Sequence, residues 1–123
     1  MNPGKVSNSI LDRSVLRLIK SRNSRVAKPF IGADCGSIDI NEQDKRILCS
    51  ESCGIWPVYR AANNIYSCGG MPLAAHISVI MPRNFNEYNL KEQIRIINSQ
   101  CGIFGMQISG GHTQINDMVK APV

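Results

Sequence analysis

The sequence predicts an α+β domain: a mixed sheet with helices on one face. Three observations carry that expectation. The chain has 123 residues, about one domain with a single core. Apolar residues recur at helical spacing in three segments, with short β-prone runs bounded by Gly, Pro and polar turns between them. Their order, roughly α-β-β-α-β-α-β-β, alternates irregularly, which favours helices gathered on one side of a sheet.

Each element has its own local reason. Ser7 or Asn8 caps a helix running to about Arg22, with Leu11, Val15, Leu18 and Ile19 as its apolar stripe. Lys20 and Arg22 in its last turn suit the negative end of the helix dipole. Residues 23–32, with Pro29 and Gly32, read as a loop. IGADCGSIDI and KRILCSE are two short strands joined by the polar turn NEQD. From Trp56 to about Cys68, Trp56, Tyr59, Ala62 (or Asn63) and Tyr66 recur at helical spacing, and Gly69, Gly70 and Pro72 stop that helix. PLAAHISVIMP is a strand ended by Pro82. Leu90, Ile94, Ile97 and Cys101 mark an amphipathic helix from about Glu87, with Gly102 ending it. IFGMQIS is a further strand, Ser109–Thr113 a glycine turn, and DMVKAPV begins or completes a last strand.

Composition narrows the class. Hydrophobic residues make up 43% and charged residues 19%, an ordinary globular balance. No window reaches the roughly 18 apolar residues of a membrane helix. The start MNPGKVSNSI lacks the apolar core of a secretory signal, so the expected compartment is the cytoplasm. The five cysteines (35, 49, 53, 68 and 101) are odd in number and form no C-x-x-C pair. Buried or half-buried thiols are the favoured reading, and no zinc or iron–sulfur site is expected. The net charge of +5 is uneven, since residues 1–28 hold seven bases and one acid. Single-strand nucleic-acid binders interleave aromatics with such bases. None precedes Phe30, so nucleic acid is not an expected partner and a solvated helix face is the favoured reading.

Three stretches combine glycine with polar groups: Gly32-Ala33-Asp34, Asn63-Asn64 through Gly69-Gly70-Met71-Pro72, and Ser109-Gly110-Gly111-His112-Thr113. Glycine lets backbone amides approach an anion closely, and a nearby carboxylate such as Asp34 suits Mg²⁺. None matches a phosphate loop or a dinucleotide fingerprint, and singly each reads as a turn. His76, inside an apolar strand, reads as a core or interface histidine, and His112 as a hydrogen-bonding loop residue. Ser109 and Thr113 have no nucleophile-and-base context, so hydrolase chemistry is unsupported.

Together and in order, several of these stretches carry a resemblance. They are Gly4-Lys5-Val6-Ser7-Asn8, Arg13-Ser14-Val15-Leu16, Gly32-Ala33-Asp34-Cys35, Asn63-Asn64-Ile65 with Gly69-Gly70-Met71-Pro72, and Gly110-Gly111-His112-Thr113-Gln114. The set resembles the N-terminal domain of the aminoimidazole ribonucleotide synthase superfamily over almost the whole chain. That superfamily includes formylglycinamidine synthase, selenophosphate synthetase, thiamine-monophosphate kinase and a hydrogenase maturation factor. The hydrogenase-maturation-factor-like branch is the nearest in pattern.

The resemblance implies ATP use, and a homodimer in which the strands of two subunits build a barrel. It implies nucleotide contacts at Lys5, Gly32, Asn63, Asn64, Gly110, Gly111, His112 and Thr113, with Mg²⁺ at Asp34 and Glu51. The family reaction moves the γ-phosphoryl of ATP onto an oxygen or a related nucleophile. Departures temper this. Asn64 and Gln114 stand where relatives carry carboxylates, Glu51 replaces an Asp, and the segment SCGIW is shortened. Residues 1–123 then read as a single N-terminal domain whose usual C-terminal domain and catalytic cysteine are absent. The expectation is a stand-alone or truncated, partly degenerate ATP/Mg-binding-type domain that does not turn over alone. The alternatives are a dimerisation or scaffold module, or half of a split ATP-dependent enzyme whose C-terminal domain is a separate chain.

Overall fold

The computed structural model describes residues 6–40, 45–54 and 56–123. These divide into two compact units, Met1–Ser50 and Glu51–Val123.

The first unit opens with α1 (Asn8–Ser14), followed by a 3₁₀ turn at Leu16–Leu18. The expected helix to Arg22 is therefore cut short. Ser7 occupies the N-cap position without a side-chain cap bond, and the chain leaves helical geometry at Val15. A helix this short needs packing to persist. Its stripe finds none, since no residue of α1 is buried and Leu18 is 72% exposed. The described bases of the N-terminal arm are all exposed, and Arg17 pairs with Asp12 at 2.7 Å, a surface contact of small energetic weight.

The expected hairpin is present as β1 (Gly36–Ile40) and β2 (Lys45–Cys49), paired antiparallel. The register sets Ile38 opposite Ile47 and Asp39 opposite Arg46, and the charged pair closes at 2.7 Å. On the other edge of β1, Ala27 donates to the Ser37 carbonyl and Asp39 to that of Arg25. The NEQD turn lies outside the described residues.

In the second unit Pro57 begins α2 (Pro57–Ser67). Its fixed φ suits a first helical position, where the missing N–H has no partner to lose. Ala62, not Asn63, is the buried member of the stripe, together with Val58, while Trp56 and Tyr66 stay exposed. Tyr59 and Tyr66 instead meet Phe104 edge-on and tilted, at 5.4 and 6.3 Å between ring centres. The strand β3 (Ala74–Met81) alternates cleanly: Val79 and Met81 are buried, whereas His76 and Ser78 are exposed. Of the two expected settings for His76, core or interface, the core one is excluded, because the two-residue period of a strand assigns His76 to the face opposite Val79.

The helix α3 (Glu87–Ile103) starts with a reciprocal cap. Asn89 N–H donates to the Asn86 side chain at 3.1 Å and Asn86 N–H to that of Asn89 at 2.9 Å, an arrangement worth about 1 kcal/mol. It does not end at Gly102. The left-handed residue is Gly105, at φ 66°. There Met106 N–H reaches back to the Cys101 carbonyl and Gly105 N–H to that of Gly102. This double closure needs a residue without a Cβ just past the helix. Cys101 on α3 is fully buried, and burial pushes its thiol pKa upward because the thiolate would lose its hydration.

The last strand, β4 (Gln107–Ile115), pairs parallel with β3 across α3. The strands therefore form two two-stranded sheets, one antiparallel and one parallel, rather than a single mixed sheet. The fold class is a mixed α+β one, with α3 packed on β4 and α2 on α3. The buried apolar side chains Val58, Ala62, Val79, Met81 and Cys101 all belong to this second unit. The expected strand at DMVKAPV does not form. Only Val123 lies along β3, exchanging two backbone hydrogen bonds with Ile80 at 2.8 and 3.0 Å. Among the described residues, no helix is long and apolar enough to cross a membrane.

Candidate functional site

The stretch expected as a glycine turn, Gly110–Thr113, is the middle of β4. Its geometry is nevertheless unusual. Ala75 pairs with Ile108 and His76 with Gly110, so Ser109 is an extra residue in the ladder. Its hydroxyl donates to the Ala75 carbonyl at 3.1 Å, satisfying a group at the irregularity that such a bulge creates. Gly110 follows at φ 154° with the His76 ring against it: a Cβ there would lie 3.2 Å from Cε1. Gly111 runs closer still to β3. A Cβ at Gly111 would stand 1.8 Å from the Ile77 carbonyl oxygen, so only glycine lets the two strands approach this way.

Beside this segment is a concavity of about 230 Å³. Ile77 and Val79 of β3, Ile94 of α3 and Ile108 of β4 line it, together with Gly110, Gly111, His112 and Thr113. Four aliphatic residues border two glycines, a histidine and a threonine. His112 is the one ionisable residue in that lining. The glycine, histidine and threonine positions were legible in the sequence as a group. The four aliphatic residues were read only as strand and helix interior, and it takes the β3–β4 register to bring them to the glycines.

The other expected site residues are placed elsewhere. Gly32, at φ 88°, and the exposed Asp34 belong to the first unit, where the Asp34 carbonyl accepts the Ser50 hydroxyl at 3.1 Å. Glu51, exposed, opens the second unit. Asn63 is exposed and Asn64 half-buried on α2, and the Asn64 carbonyl accepts from Ser67 at 2.9 Å. Lys5 lies outside the described residues. Among the described residues, no three of His, Cys, Asp and Glu come together to hold a metal ion. Mg²⁺ favours several hard, charged oxygens. The cavity lining offers none, and the neighbouring Gln114, like Asn64, is an amide.

Comparison with known families places this geometry. Residues 37–123 match the family model for AIR synthase related protein, N-terminal domain. The match takes in β1 from Ser37 onward, β2, Glu51, Asn63, Asn64 and the whole of β4, and begins after Gly32 and Asp34. A search of curated proteins gave no match.

Proposed function

The chain belongs to the AIR synthase related N-terminal-domain family, and from that premise we propose that it binds an adenine nucleotide without turning it over by itself. The observation that carries this reading is the concavity at Gly110–Thr113, formed by the same short segment that the family resemblance marks as a nucleotide contact. The resemblance carried by the Gly4–Asn8 and Arg13–Leu16 stretches supports a reading nearest the hydrogenase-maturation-factor-like branch. Phosphoryl transfer relies on metal ions bridging the phosphates. Amides at Asn64 and Gln114 leave this chain poorly equipped to hold them, so binding is proposed and catalysis is not. Isothermal titration tests the reading. ATP is expected to give saturable heat at millimolar concentration, with no phosphate released over hours. Absence of heat at millimolar ATP would sink it.

A second reading, a dimerisation or scaffold module, is favoured by one specific feature. The facing Ile38 and Ile47 of the hairpin are both exposed, as is Ile40, and no described residue of the first unit is buried. Apolar pairs left open in this way are suited to burial against another surface. Solution mass with and without ATP separates the readings. The scaffold reading expects a dimer whose mass is unchanged by nucleotide, and a monomer under both conditions removes it.

A further inference from the structure

We propose that the concavity beside β4 receives the flat, uncharged heteroaromatic base of the nucleotide and not its phosphate tail. This inference rests on the nucleotide-binding reading above and assigns a part of the ligand to a part of the site.

The chemistry of the walls decides between the two parts. Ile77, Val79, Ile94 and Ile108 contribute only aliphatic surface, and neither Lys nor Arg lines the cavity. A polyphosphate placed there would exchange hydration of several negative charges for methyl groups, at a large cost in free energy. A base loses little on leaving water and gains apolar contact on its flat surface. The expected phosphate cradle also required a turn, since anion-binding nests form where successive N–H groups converge in turn-like conformations. Gly110 and Gly111 instead belong to a β-strand paired with β3.

Size agrees with chemistry. The volume of about 230 Å³ is below the roughly 300–1,000 Å³ of pockets that enclose whole drug-sized ligands. It suits one ring system, with the rest of the molecule outside. Polar recognition of a base edge needs a few donors and acceptors, and the rim holds them. Gly110 and Gly111 present bare backbone, and Thr113, in register with Val79, a hydroxyl.

The experiment compares three probes on the unaltered chain: ATP, adenosine and inorganic tripolyphosphate, each by isothermal titration. Adenosine is expected to bind within about threefold of ATP, and tripolyphosphate to give no heat. Ile94→Trp, at a partly exposed position of α3 that borders the cavity, is expected to weaken ATP and adenosine together by about tenfold or more. Its unfolding midpoint should match that of the parent. Tripolyphosphate binding with adenosine silent overturns the base assignment and leaves nucleotide binding standing. Adenosine binding that Ile94→Trp leaves intact also overturns it, by placing the base elsewhere. Silence of all three probes removes both readings. The three-probe comparison decides the matter even if the variant does not fold.

Discussion

Gly111→Ala is expected to cost about 3 kcal/mol or more, enough to leave the second unit largely unfolded. The added Cβ would lie 1.8 Å from the Ile77 carbonyl oxygen, and the neighbouring atoms at risk are backbone, not the end of a flexible side chain. Relief therefore requires β4 to move away from β3, which also breaks the ladder that runs from Ala74 to Met81. Gly102→Ala is the matched control. Nothing lies within 4 Å of a Cβ at Gly102, which sits inside α3. That change is expected to stabilise by about 0.5–1 kcal/mol, because glycine loses more backbone freedom than alanine on entering a helix. Urea unfolding followed by circular dichroism measures both. A Gly111→Ala midpoint equal to the parent's would show that the strands do not approach as described.

The second large effect is expected at Met81→Ala, with a loss of about 2–5 kcal/mol. Met81 is 3% exposed, at the end of β3, and belongs with Val58, Ala62, Val79 and Cys101 to the small buried core of the described residues. With so few, each carries a large share of the core. Removing this side chain subtracts both its transfer energy and its contacts, and the surrounding groups can close over the gap only in part. Met118, of the same type, is 89% exposed. Met118→Ala is expected to fall within about 0.5 kcal/mol of the parent. The same urea titration checks the pair, and equal midpoints for the two variants would refute the description of the core.

The elements that sequence reasoning located best are those whose own residues supply the signal. The α3 stripe, Leu90, Ile94, Ile97 and Cys101, holds the helical period for three turns. The hairpin shows two β-prone runs around a polar turn. Pro57 and the glycines after Cys68 punctuate α2. The misses share a cause. The N-terminal stripe from Leu11 to Ile19 has the right period, yet periodicity only prepares a helix for a partner, and no packing holds α1 beyond Ser14. Gly102 was a plausible stop, but the closing bonds go to Gly105. The apolar neighbours of His76 suggest a core or interface position, and the alternation of β3 removes the core alternative by turning it outward.

The candidate site divides along the same line. The residue types of Gly110-Gly111-His112-Thr113, and the neutral Asn64 and Gln114, were legible in the chain itself, and with them the family. What those glycines do was not. Two adjacent glycines usually signal a turn, because positive φ is their commonest use. Here they permit a strand to pass a carbonyl of its neighbour, a requirement that exists only once β3 lies alongside. The sequence by itself determined the family, the order of elements as far as β4 and the chemistry available at each position. Only the tertiary structure decided that the glycine turn is a strand and that Ile77, Val79, Ile94 and Ile108 border it. Local signals report what a residue can do, whereas register and close approach depend on atoms that are distant in the chain.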